Sequence, residues 1–177
     1  MATNVPPDKD AVVSNGSSSN PDLVWIAPGF ALGSKPYAYQ RSAVAQIGIR
    51  AVLALYEPIE GEAAAWHALG VRFDWVPTHD WVQIPVALFD RVVEIVSADL
   101  SSGTPVLLHC LAGINRAPTF AAAVLCQASG MKVDEALAVV KDRRAAAKPT
   151  PEQEKSLRIW YDLRCQSSPA GLSKFHG

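Results

Sequence analysis

The 177-residue chain is 49% hydrophobic and 19% charged, with a formal net charge of −1, which is typical of one globular domain with a substantial core. The balanced charge argues against nucleic acid or an anionic membrane surface as the main partner. Three cysteines without metal-ligand spacing fit a reducing compartment better than a disulfide framework. We therefore expect a cytoplasmic protein, with entry into the nucleus left open.

The two ends of the chain differ from its middle. Residues 1–20 are rich in Ser, Asn, Asp and Pro, which predicts a disordered tail, and residues 166–177 are expected to be a second, flexible tail. The N-terminal stretch has no secretory apolar segment, position 2 is alanine, and no run of eighteen apolar residues occurs. We therefore expect a single folded domain over residues 21–165 and no membrane anchor.

Strand and helix patterns alternate through this domain. Short apolar runs predict strands at 23–26, 30–33, 51–55, 71–76 and 105–109. Longer segments predict helices at 36–47, 60–69, 85–101, 116–129, 133–146 and 151–164. This order predicts an α/β fold with a central, mostly parallel sheet, helices on both faces and an active site at the carboxyl ends of the strands.

Residues 116–129 are expected to form a central buried helix, because the segment is apolar on nearly all sides. Pro118 fits its first turn and Gly130 its end. Cys126 is then expected to be a core residue.

The most informative segment is residues 109–116, His-Cys-Leu-Ala-Gly-Ile-Asn-Arg. It follows the apolar run 106–108 and precedes the predicted central helix. A glycine-containing loop between a strand and a helix can direct its backbone N–H groups into one concavity, which the positive end of the helix dipole reinforces. A dianionic phosphate group fits there, with Cys110 at the floor and Arg116 as a planar, bidentate donor at the rim.

These residue types suit phosphoryl transfer. A helix N-terminus and nearby cations favour the cysteine thiolate, which can attack phosphorus and form a phosphocysteine. Arg116 would bind two phosphoryl oxygens and stabilise the transition state, and a nearby carboxylic acid must protonate the leaving oxygen. The other loop residues are expected to bind the substrate: His109, Leu111, Ala112, Gly113, Ile114 and Asn115. We expect Asn115 to brace the loop through side-chain hydrogen bonds.

The pattern resembles the cysteine-based protein tyrosine phosphatase superfamily, whose motif is His-Cys-x5-Arg followed by Ser or Thr, and within it the dual-specificity branch. Residues 25–34 and 47–55 are similar to the early strands of that branch, so the resemblance covers roughly residues 22–165. It implies a protein tyrosine phosphatase-like fold and a cysteine-dependent enzyme that needs no metal or cofactor. Its expected substrates are phosphotyrosine and phosphoserine/threonine proteins. It also implies that His109 hydrogen-bonds within the loop and helps hold the thiolate.

The resemblance also directs the search for the general acid. Asp80 lies 30 residues before Cys110, the spacing at which the family carries its acid, and Pro77 and Pro85 mark the stretch as a loop. Asp80 is therefore our candidate. Asp74 is the alternative, but it sits in an alternating run that predicts a strand. Trp81 either flanks the substrate or packs within the loop.

One departure from the family motif concerns the second chemical step. Ala117 stands where the family has a hydroxyl residue that assists departure of the thiolate, and Thr119 lies two positions too late to replace it. We therefore predict that the phosphocysteine is hydrolysed slowly relative to its formation. The same departure leaves open a weakly active phosphate-binding interaction module.

Other residues bear on the substrate. Residues 116–118, Arg-Ala-Pro, resemble the phosphatases of regenerating liver and the plant glucan phosphatases, which makes a glucan or another non-protein phosphomonoester the alternative substrate. Tyr56 stands where the former subgroup carries a second redox cysteine, so that switch is not expected. The uncharged loop argues against highly anionic head groups. A basic run, Lys141, Arg143, Arg144 and Lys148, is interpreted as a solvated helix face.

Overall fold

The structure, a computed structural model, describes residues 20–80 and 82–164. Its strands are β1 (Leu23–Ala27), β2 (Phe30–Gly33), β3 (Ala51–Ala54), β4 (Arg72–Trp75) and β5 (Val106–His109). Its helices are α1 (Arg41–Gln46), α2 (Glu62–His67), α3 (Val86–Ser101), α4 (Arg116–Ser129), α5 (Val133–Arg143) and α6 (Pro151–Arg164). Trp81, Cys165 and, apart from residue 20, both predicted tails lie outside the described residues.

The five strands form one sheet in the order β1-β2-β5-β3-β4. Only β1 runs antiparallel to its neighbour; β2, β5, β3 and β4 are parallel. The central strand β5 ends level with its neighbours, because His109 is opposite Gly33 on one side and Ala54 on the other. The prediction of an α/β fold with a mostly parallel sheet is confirmed, and Cys110 emerges at the carboxyl edge of that sheet.

Side chains of β5 alternate between two apolar layers, as the period of a strand requires. Val106 and Leu108 join the larger core, which contains residues of α3, α4, α5 and α6. Leu107 joins a smaller core with Val44 of α1 and Trp66 of α2. The sheet is therefore covered on both faces, as predicted. No helix in the described ranges is long and apolar enough to cross a bilayer.

Helix α4 lies at the centre of the larger core. Its residues 116–126 are all buried, including Cys126 at 2% exposure, so the prediction of a central buried helix is confirmed. The ring of Phe120 is 4.8 Å from that of Phe89, which in turn lies 5.7 Å from Trp160. These rings join α3, α4 and α6. Gly130 ends α4 with a φ of 67°, a conformation that glycine adopts without strain.

Several predicted helices are shorter in the structure, among them the one predicted at 60–69, which is α2 (Glu62–His67). The segment predicted as a helix at 36–47 begins with a 3-10 turn, Ala38–Gln40, before α1, because the Gln40 side chain accepts the Tyr37 N–H and donates to the carbonyl of Asn20. Helix α5 ends at Arg143 rather than at residue 146. Arg144 has extended backbone angles (φ −130°, ψ 90°), and its buried side chain reaches the loop after β5.

Candidate active site

Cys110 lies at the start of the loop that joins β5 to α4, and we call residues 110–115 the cysteine loop. Its side chain is buried, with 3% exposure. The Gly113 N–H donates to the Cys110 sulfur at 3.3 Å, and Gly113 has a φ of 65°. A Cβ atom on Gly113 would stand 2.5 Å from the carbonyl oxygen of Gly33. The turn that aims this N–H at the sulfur therefore requires glycine.

The carbonyl groups of the cysteine loop are bound from outside by donors of other segments. The backbone N–H of Lys35 donates to the Leu111 carbonyl at 2.9 Å, and the backbone N–H of Lys148 donates to the Ile114 carbonyl at 2.7 Å. The Arg144 side chain binds the two carbonyls between them: Nη2 donates to Ala112 at 3.2 Å and Nε donates to Gly113 at 2.7 Å. In a trans peptide the C=O and N–H point in opposite directions. The N–H groups of residues 112–115 therefore point away from these outside donors, and that of Gly113 reaches the Cys110 sulfur, which suits this side of the loop to an anion.

Asn115 is the last residue of the cysteine loop and ties it to the segment before α6. Its Nδ2 donates to the Lys148 carbonyl at 2.7 Å, which is the bracing side-chain contact expected from the sequence. The Asn115 carbonyl accepts the Thr119 hydroxyl at 2.8 Å. Since that hydroxyl is engaged with the helix backbone, Thr119 does not replace the hydroxyl that the family motif carries at Ala117. Ala117 itself is fully buried.

Arg116, the first residue of α4, turns its guanidinium toward the loops after β3 and β4. Nη1 donates to the carbonyls of Leu55 at 3.0 Å and Thr78 at 2.9 Å. Nη2 lies 3.2 Å from the Asp80 carboxylate. Nε is buried without a hydrogen-bond partner among the described residues, so this donor remains for a ligand. Three anchors thus fix a cation beside the cysteine loop.

The two candidate acids occupy different settings. Asp80 lies on the loop after β4, with its side chain 33% exposed and paired with Arg116. Asp74 lies within β4 and pairs with Nε of Arg72 at 2.6 Å, as expected for a strand residue. The structure therefore pairs Asp80 with Arg116, the residue that follows the cysteine loop, and Asp74 is engaged elsewhere.

His109 is fully buried under the loop. Its Nδ1 lies 3.0 Å from the Cys110 carbonyl oxygen. Burial lowers the pKa of His109 to about 4, against the opposing effects of its hydrogen bond to Cys110 and the charge of Glu62. The ring is therefore neutral at pH 7 and suited to holding the loop backbone. Its Nε2 has no partner among the described residues.

A buried carboxylate beside His109 was not predicted. Glu62, 2% exposed, accepts the Tyr56 hydroxyl at 2.7 Å and the Lys35 ammonium at 3.2 Å. The ring of Tyr56 lies 5.5 Å from that of His109. Because the Lys35 N–H also binds the cysteine loop, this cluster supports one wall of the site. In the sequence, Glu62 is one acid at the start of a helix and carries no signal of burial.

The interpretation of the basic run as a solvated helix face is wrong for one member. Lys141, Arg143 and Lys148 are exposed, whereas Arg144 is 6% exposed and binds the cysteine loop. Its residue type gives no sign of this difference; the only signal is its position after the last turn of α5. Within the described part of the chain, no group of three or more His, Cys, Asp or Glu side chains could hold a metal ion.

Comparison with known proteins agrees with this geometry. The sequence profile of the family described as "Dual specificity phosphatase, catalytic domain" matches residues 31–162. The chain belongs to this family of phosphatase catalytic domains. The predicted class, the dual-specificity branch of the cysteine-based protein tyrosine phosphatases, is therefore confirmed.

Individual relatives are more distant. Human dual specificity protein phosphatase 5 is 30% identical over 127 residues, which are 71% of this chain and 32% of that protein. Human dual specificity protein phosphatase 8 is 30% identical over 145 residues, 77% of this chain and 23% of that protein. The chain thus spans about a quarter to a third of the length of these two relatives.

Solved structures share the fold. Tk-PTP in its active form has a TM-score of 0.75 at 26% identity, covering 80% of this chain and 97% of that chain. PTPMT1 has a TM-score of 0.72 at 24% identity, covering 80% of this chain and 94% of that chain. These likenesses agree with the protein tyrosine phosphatase-like fold predicted from the sequence.

Proposed function

We propose that this chain hydrolyses phosphomonoesters through a phosphocysteine intermediate and that its substrates are phosphotyrosine and phosphoserine/threonine proteins. The observation that carries the proposal is the Cys110 sulfur, which is bound by the Gly113 N–H in a loop whose carbonyls are held from outside and which is followed by a fixed Arg116. We also propose a single domain over residues 21–165, the bounds expected from the sequence. We assign it to the cytoplasm, with the nucleus left open, on its cysteine content alone.

In the first step the Cys110 thiolate attacks phosphorus. The bond between phosphorus and the substrate oxygen breaks, and the leaving oxygen takes the proton of Asp80. The N–H groups of the loop and Arg116 bind the phosphoryl oxygens, while His109 holds the loop backbone. The contribution of Leu111 and Ile114 to substrate binding is through their main chain.

In the second step water attacks the phosphocysteine. Asp80, now ionised, accepts a proton from the water, the P–S bond breaks, and the sulfur departs as a thiolate. Inorganic phosphate is released. Ala117 supplies no hydroxyl to the departing sulfur, so we expect this step to limit turnover.

Two alternatives have one supporting observation each. The Arg-Ala-Pro sequence at residues 116–118 favours a phosphoglucan or another non-protein phosphomonoester. Ala117 favours an interaction module that binds phosphorylated partners and turns over poorly. The presence of Cys110, Arg116 and Asp80 at one site supports the enzyme over the module.

The test is phosphate release from a panel: phosphotyrosine and phosphothreonine peptides, phosphorylated amylopectin and a phosphoinositide. Wild type is compared with Cys110→Ser and with Cys126→Ala, a buried cysteine outside the loop. We expect release from the peptides that is lost only in Cys110→Ser. Release from amylopectin alone would favour the glucan alternative. Peptide binding without release in wild type would favour the interaction module.

A further inference from the structure

Arg144 is a buried cation that the proposed mechanism does not use. Besides its bonds to the carbonyls of Ala112 and Gly113, it forms a two-pronged ion pair with Asp22. Nη1 lies 2.9 Å from Oδ1 and Nη2 lies 2.7 Å from Oδ2. The hydrogen bonds from Arg144 hold the pKa of Asp22 below its usual value, so both partners are charged at neutral pH. The guanidinium therefore joins the segment before β1 to the back of the cysteine loop.

One peptide unit connects this guanidinium to the nucleophile. The Ala112 carbonyl accepts from Arg144 Nη2 at 3.2 Å, and the N–H of the same peptide, that of Gly113, donates to the Cys110 sulfur at 3.3 Å. A hydrogen bond at one end of a peptide polarises it and strengthens the bond at its other end. A stronger donor to sulfur favours the thiolate over the thiol.

The contact leaves little room for movement. A Cβ atom on Gly113 would stand 2.7 Å from Nη2 of Arg144, so the glycine lies directly against this nitrogen. Because Nε and Nη2 bind consecutive carbonyls, the planar fork fixes the orientation of two successive peptides. A lysine offers a single point of donation and cannot reproduce that geometry.

We propose that Arg144, held in place by Asp22, is a positioning residue that orients and polarises the Ala112–Gly113 peptide and thereby stabilises the Cys110 thiolate. The effect of Arg144 on the rate of turnover rests on the proposed function. The effect of Arg144 on the Cys110 sulfur is independent of that function, because the balance between thiol and thiolate can be measured without any substrate.

The experiment follows alkylation of Cys110 by iodoacetamide as a function of pH, read by mass spectrometry on the peptide that contains Cys110. The variants are Arg144→Met, Arg144→Lys and Asp22→Asn, singly, and Asp22→Asn combined with Arg144→Met. Arg143→Gln is the matched control, since Arg143 is the adjacent residue and exposed. Circular dichroism and urea denaturation establish which variants are folded. The kcat and KM for a phosphotyrosine peptide are measured alongside.

We expect Arg144→Met to raise the pH midpoint of alkylation by roughly half a unit to one unit, the size expected when a bond to a charged group weakens. Arg144→Lys and Asp22→Asn should shift it less, and Arg143→Gln should leave it unchanged. Asp22→Asn should add nothing in the Arg144→Met background, because Asp22 acts through Arg144. A fall in kcat/KM on the order of 10- to 100-fold should accompany the largest shift.

Folded Arg144 variants that keep the wild-type midpoint would overturn the proposal, even if their stability were reduced. If Arg144→Met does not fold, wild-type midpoints in both Arg144→Lys and Asp22→Asn would overturn it equally. If wild type releases no phosphate from any substrate but the midpoints shift as expected, the proposed function fails and the positioning role stands.

Discussion

Asp80 and Arg116 form an ion pair, with 3.2 Å between Oδ2 and Nη2. Arg116 is itself fixed by the carbonyls of Leu55 and Thr78. The pair therefore orients a carboxyl group on the loop after β4 toward the cysteine loop, where a leaving oxygen would stand. The pair fixes the position of Asp80, and its proposed role in proton transfer is testable with leaving groups of different basicity.

Asp80→Asn removes the proposed proton donor but keeps the shape of the side chain. We expect kcat/KM, which reports formation of the phosphocysteine rather than its hydrolysis, to fall by about 10²-fold or more for a phosphoserine peptide, whose alkoxide needs a proton. The loss should be much smaller for p-nitrophenyl phosphate, whose leaving group departs without protonation. Asp74→Asn is the control and should leave both rates near wild type. Equal losses for the two substrates would contradict the assignment of Asp80 as general acid.

Ala117→Ser restores the hydroxyl that the family motif carries after the arginine. In wild type we expect a burst in rapid-quench experiments with p-nitrophenyl phosphate, because we propose that hydrolysis of the phosphocysteine limits turnover. The serine variant should show a smaller burst and a higher kcat, since its hydroxyl assists departure of the sulfur. A wild-type time course without a burst would show that the first step is limiting and would remove the role assigned to Ala117.

Comparing Gly113→Ala with Gly130→Ala separates two costs of adding a Cβ atom: the strain of a positive φ and a steric clash with neighbouring atoms. Both glycines have φ near 65°, so alanine should cost each variant roughly 1–2 kcal/mol of unfolding free energy. At Gly113 the new Cβ also meets the Gly33 carbonyl at 2.5 Å, whereas nothing lies within 4 Å at Gly130. Urea denaturation should therefore show a larger loss for Gly113→Ala, together with reduced alkylation of Cys110. Equal losses would contradict the close approach of the cysteine loop to the end of β2.

The buried His109 predicts how stability depends on pH. Its pKa is about 4 in the folded chain and 6.5 when unfolded, so the unfolded state takes up a proton first as the pH falls. The neutral ring makes its full contribution to the unfolding free energy above pH 6.5. This contribution, about 3 kcal/mol, is lost as the pH falls from 6.5 to 4. The unfolding free energy of His109→Asn should lack this component. Parallel pH profiles for wild type and variant would contradict it.

The sequence was most informative for the part of the site that is formed by consecutive residues. Residues 109–116 are consecutive, so the strand, the glycine turn and the start of α4 predict the surroundings of Cys110 directly. Asp80 could be proposed for two reasons. Its spacing from Cys110 matches the position of the acid in the family that the chain resembles, and the flanking prolines indicate a loop. Arg144 could not be predicted, because its partner Asp22 is 122 residues away and a charged residue at the end of a helix is ordinarily solvated. Glu62 was missed for the same reason: a buried carboxylate depends on cations that only the fold brings together.

The outside donors of the cysteine loop have a consequence for folding. They come from the segment after β2, the end of α5 and the turn before α6, and Arg144 depends in turn on the segment before β1. No hairpin or helix pair contains all of these parts. An anion-binding loop held in this way requires the segment before β1 and the segment after α5 to come together, and contacts so distant in sequence slow folding. Partly folded forms that retain the helices around α4 should lack the site entirely, so catalytic competence and global cooperativity arise in the same transition.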